Sequence, residues 1–68
     1  MKNYYEIIVQ NCAGQELNRT SGEGYNPLDA VEQCIAEGRL YIQAGTLVKV
    51  VVINSVYRTV FAFDMGTL

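Results

Sequence analysis

Histidine and tryptophan are absent from this 68-residue chain, proline occurs once, and there are only two cysteines. Without histidine there is no imidazole base, no histidine-centred triad and no histidine-ligated metal. Cys12 and Cys34 alone do not close a structural zinc site and are too few for a disulfide scaffold. They read as two small apolar fillers in a reducing cytoplasm. Charged residues are few, at 18%, and seven acids against five bases leave a formal charge of −2. The bases Lys2, Arg19, Arg39, Lys49 and Arg58 are scattered, whereas a nucleic-acid binder needs a clustered basic face. The longest aliphatic run, Val50-Val51-Val52-Ile53, falls far short of the roughly 20 residues of a membrane span. The segment Met1-Lys2-Asn3-Tyr4-Tyr5-Glu6 carries no signal-peptide stretch.

Half of the chain is apolar, too much for a disordered one. The length predicts one domain spanning residues 1–68. A chain this short buries only about 60% of its unfolded surface, so its stability gains from a partner.

Asn3 to Gln10 reads as a strand with Tyr5, Ile7 and Val9 on one face and Tyr4, Glu6, Ile8 and Gln10 on the other. Asn11-Cys12-Ala13-Gly14 is a turn signal. A polar strand from Gln15 to about Ser21 follows, with Leu17 as its one large apolar residue, and suits the edge of a sheet. Gly22-Glu23-Gly24 reads as a flexible loop; as a lone GxG it lacks the rest of a dinucleotide fingerprint.

Asn26-Pro27-Leu28-Asp29 opens a helix. Asn26 can cap it, Pro27 loses no hydrogen bond at the first helical position, and Asp29 complements the positive pole. Leu28, Val31 and Ile35, with Cys34 beside them, form the predicted apolar stripe. Asp29, Glu32, Gln33 and Glu37 face away. Gly38 is placed just past the helix end, with Arg39 near the negative pole. Arg39 to Gln43 reads as a short extended segment, with continuation of the helix as the alternative.

Thr46 to Ile53 and Val56 to Asp64 read as a hairpin about Asn54-Ser55, with Met65 to Leu68 as a tail. The fold class is therefore α+β, an antiparallel sheet of about four strands in the order β-β-α-β-β, with one helix on one face. A two-residue turn pairs Ile53 with Val56, Val51 with Arg58 and Lys49 with Val60. One hairpin face then carries Val48, Val50, Val52, Tyr57, Phe61 and Phe63, which the helix should cover. The other carries Leu47, Lys49, Val51, Ile53, Val56, Arg58, Val60 and Ala62, where a one-sided sheet should alternate to polar. This surplus makes Lys49, Val51, Ile53, Val56, Arg58 and Val60 the candidate partner or dimer interface. Exposed valines that merely stabilise strands are the plainer explanation. Asp29, Glu32 and Glu37 form a second candidate surface, an acidic docking face, or simply a solvated one.

The serines, Ser21 and Ser55, have no candidate base nearby in sequence, and no set of residues forms a catalytic or cofactor-binding constellation. Five tyrosines are many for this length, and tyrosine is enriched in contact surfaces. The size and element order, taken over the whole chain, resemble small orphan proteins of phages and mobile elements. These include compact inhibitors of host defence complexes such as anti-CRISPR proteins with a sheet and one helix. No residue motif carries the resemblance, so no site residue is transferred; it implies a stoichiometric inhibitor. The expected function is a non-enzymatic protein-binding module, self-associating as a homodimer, cytoplasmic and without a cofactor. The alternative is a small-molecule or nucleotide sponge formed between subunits around tyrosines and Arg39 or Arg58.

Overall fold

Alternating side chains put Tyr5, Ile7 and Val9 on one side of the first strand, and the computed structural model buries all three. The structure describes residues 1–40 and 45–66. In chain order the elements are β1 (Asn3–Gln10), β2 (Glu16–Gly24), α1 (Pro27–Ala36), β3 (Leu47–Ile53) and β4 (Thr59–Gly66). The four strands form one antiparallel sheet in the order β2-β1-β3-β4, so β2 and β4 are its edges. The α+β class and the element order are those expected, and the polar second strand does lie at an edge.

The helix ends follow their sequence signals. Asn26 Oδ1 accepts from the Asp29 amide at 2.8 Å, and Asp29 Oδ2 accepts from the Tyr25 amide at 2.9 Å. The exit is a Schellman turn: Gly38 at φ 72° donates to Ile35 O and Arg39 N donates to Cys34 O. Such local signals survive folding because they involve groups only a few residues apart.

The apolar stripe is corrected. Ala30, Val31 and Cys34 are buried, whereas Leu28 and Ile35 are exposed. The cause lies in β2. Gly22-Glu23-Gly24 is the end of that strand, not a loop, and the two glycines let α1 lie against the bare backbone. A Cβ on Gly24 would stand 2.5 Å from Ala30 N, and one on Gly22 2.7 Å from Cys34 Sγ. The helix thus turns its small residues inward and lies chiefly against β2. Val48, Val50 and Val52 of β3 and Leu40 complete the core, with Phe61, Phe63 and Met65 of β4 packed at its side, half-buried.

The second hairpin is also corrected. β3 and β4 pair Ile53 with Thr59, Val52 with Phe61, Val51 with Ala62 and Lys49 with Asp64. The connection is longer than two residues, and a bulge near Val52/Ile53 sets two β4 residues against one of β3. Tyr57 is therefore in the connection and not in the core face, and Val56 and Arg58 are not on the sheet. The strand continues through Met65 and Gly66, which were expected in the tail. Arg39 and Leu40 are not in a strand; the remainder of the expected Arg39–Gln43 segment lies outside the described residues. Among the described residues no helix is long and apolar enough to cross a membrane.

Candidate functional site

Both hairpins close with the same loop geometry. In the first, Asn11 N donates to Gln15 O at 2.9 Å and Gly14 N donates to Asn11 O at 3.0 Å, while Asn11 Oδ1 accepts from the amides of Ala13 and Gln15. In the second, Asn54 N donates to Arg58 O at 3.0 Å and Tyr57 N donates to Asn54 O at 3.0 Å. Asn54 Oδ1 accepts from the amides of Val56 and Arg58. Each is a three-residue connection whose last position needs a left-handed backbone. The first loop places Gly14 there, at φ 84°, and the second places Tyr57, at φ 61°. A left-handed residue with a Cβ costs roughly 1–2 kcal/mol, so one chain holds both the relaxed and the strained version of a single turn. Tyr57 is the only non-glycine residue at positive φ among those described.

Both loops are exposed, but the strained one displays the larger side chains. Tyr57 is 84% exposed and Val56 64%, and Arg58 is exposed beside them with no ion pair among the described residues. Antiparallel pairing brings the loop to the end of the sheet where β1 begins and β2 ends. Tyr4 and Tyr25, both exposed, occupy that same end. Tyr4, Glu6, Asn54, Ser55 and Tyr57 line one shallow recess there. The Lys2 ammonium lies 5.8 Å from the centroid of the Tyr25 ring, within cation–π range. Three exposed tyrosines, one valine and two cations thus share an end of a small sheet. No single sequence segment carries the patch, because its parts come from positions 2–4, 25 and 56–58; the signal that could have found it is the repeated Asn at the head of both loops.

The outer face forms rows across the strands. Arg19, Ile8, Val51 and Ala62 are consecutive neighbours in one row; Gln10, Lys49 and Asp64 are neighbours in another. Ile8 is only 5% exposed, and Val51 and Ile53 are half-buried. Arg19 reaches across to Glu6 at 3.3 Å and holds Glu16 at 2.8 Å; that Glu16 hydrogen bond is the chief cause of its raised pKa. Of the expected interface, Lys49, Val51, Ile53 and Val60 lie on or beside this face, while Val56 and Arg58 belong to the loop patch.

The expected acidic face is partly committed elsewhere. Asp29 serves the helix cap, and Glu37 lies 3.3 Å from Arg39 Nη2; Glu32 is exposed. Arg39 Nη1 also donates to Ser21 O at 3.1 Å, which ties its half-exposed guanidinium to the sheet edge. Cys34 donates its weak S–H to the same carbonyl at 3.7 Å. Burial pushes the Cys34 thiol pKa up; the positive charge of Arg39 opposes this and Glu37 adds to it. Both cysteines are free, Cys12 exposed and Cys34 buried. No cluster of three or more possible metal ligands occurs among the described residues.

The chain matches no family profile, no curated protein and no solved structure.

Proposed function

We propose that this protein is a non-enzymatic binding module that engages a protein partner through the tyrosine-bearing end of its sheet. The carrying observation is the strained display of Tyr57 where the matching loop uses Gly14. Strained backbone persists where the surroundings over-determine it, and it clusters at functional sites. Tyrosine and arginine supply much of the energy of protein contacts, because each combines a large contact area with a polar tip. The loop is held by its own Asn54 hydrogen bonds, so little ordering entropy is lost on docking. The chemistry fits a partner surface with an apolar hollow for Val56 and Tyr57 and a carboxylate for Arg58. Such a module acts by occupancy, one copy per target site, which is the stoichiometric mode of an inhibitor.

The test compares proteins retained by the wild type and by Tyr57→Gly from cells in which the protein naturally occurs. Tyr57→Gly relaxes the backbone, so its melting temperature should equal or exceed that of the wild type. A partner held by the wild type and lost by this intact variant supports the reading. Equal retention of the same proteins by both rejects it.

A further inference from the structure

The two edges of the sheet are built differently. On β2 the Ser21 carbonyl is taken by Arg39 and Cys34, and Glu16, Asn18, Arg19 and Glu23 make the strand polar. These are the devices that keep a strand edge from pairing. On β4 no side chain among the described residues bonds to the backbone, and its outer margin has no neighbouring strand. The strand reads Thr-Val-Phe-Ala-Phe-Asp-Met-Gly, with one charge and no proline. Phe61 and Phe63, with ring centroids 5.3 Å apart, stay half-buried because α1 sits toward the β2 side.

From this asymmetry we infer that β4 pairs with β4 of a second copy of this chain, antiparallel, with Phe63 opposite its own counterpart. The inference stands on a different surface from the tyrosine patch and does not rest on it. A two-fold axis perpendicular to the sheet joins residues whose numbers have an even sum, so the choice is among registers centred on single residues. Centring on Asp64 sets two like charges directly opposite one another, which is destabilising. Centring on Ala62 brings both Thr59 and Val60, the bulged start of the strand, into the pairing, opposite Met65 and Asp64 of the copy. Centring on Phe63 keeps only Val60 of the bulged start, opposite Gly66, places Phe61 opposite Met65 of the copy, and sets Asp64 against Ala62. The aromatic row then continues across the junction, and each half-buried phenylalanine gains apolar cover. The product is one eight-stranded sheet.

Light scattering and sedimentation of the full chain test this with two variants at the exposed Ala62. The wild type should have twice the 7.6 kDa mass of the chain. Ala62→Glu sets a carboxylate against Asp64 of the copy at both symmetric positions and should shift the mass to that of the monomer. Ala62→Lys sets an ammonium there and should keep the dimer and slow its dissociation on dilution. Circular dichroism confirms that both variants are folded. A monomeric wild type overturns the inference, and so does an equal effect of Glu and Lys. Tyr57→Gly should leave the mass unchanged, so failure here and failure of the partner-binding reading are separate results.

Discussion

A Cβ placed on Gly24 would lie 2.5 Å from the backbone nitrogen of Ala30. No side-chain rearrangement relieves that approach, because the group it meets is the first turn of α1. The helix would have to lift off β2 and open the core around Val31 and Cys34.

Gly24→Ala should accordingly cost about 2–3 kcal/mol, the upper range for overpacking. Gly22→Ala clashes with Cys34 Sγ, while Ala30 O at 3.5 Å and Ile7 Cδ1 at 3.9 Å stay at ordinary contact, and the Cys34→Ala background should remove much of its penalty. Urea denaturation of the two single variants and the double variant measures the coupling. Simple additivity at positions 22 and 34 would show that the contact is not tight.

Removing the helix cap tests the local signal. Asn26→Ala deprives the Asp29 amide of its acceptor and should lower stability by about 1 kcal/mol. In a chain of this size that is a fall of roughly 4–8 °C in Tm. Asn26→Asp should retain most of the wild-type value.

The loops give a reciprocal pair. Tyr57→Gly should leave stability unchanged or raise it by about 1 kcal/mol, since left-handed backbone is free of Cβ strain only in glycine. Gly14→Tyr, in the matching loop with nothing within 4 Å of the added Cβ, should lower it by a similar amount. Thermal melts that move in the same direction for both variants would contradict the equivalence of the turns.

Cys34 gives a pH signature. Its pKa is raised in the folded state by burial, so the unfolded thiol loses its proton first. Between the two values the folded state binds more protons, and stability falls as pH rises. Below the ordinary thiol range the contribution is constant. Denaturation midpoints for the wild type should therefore drop more steeply above that range than those of Cys34→Ala. At neutral pH an alkylating reagent should modify Cys12 rapidly and Cys34 only on unfolding. Fast double labelling of the native protein contradicts this.

What could be read from the sequence was mostly what neighbouring residues decide among themselves. Asn26, Pro27, Asp29 and Gly38 mark the helix because each acts on backbone within one turn, and the alternation of Tyr5, Ile7 and Val9 carries β1. Glycine at 22 and 24 reads as local freedom in the sequence, whereas here it permits close contact with a helix that follows. That contact rotates α1 and leaves Leu28 and Ile35 outside. The pairing of β3 with β4 was missed for a complementary reason. Asn54-Ser55 reads as a two-residue turn, whereas Tyr57 takes the left-handed position against propensity, so neither the longer loop nor the tyrosine patch at that end is visible from the sequence.

Arg39 donates to the Ser21 carbonyl on the β2 edge, and that bears on how many copies an edge-to-edge assembly could hold. A sheet able to add strands at both margins extends without limit, whereas one with a single open margin uses it up at the first encounter. On the inferred β4–β4 pairing, growth would halt at two protomers and leave a fibre nowhere to start.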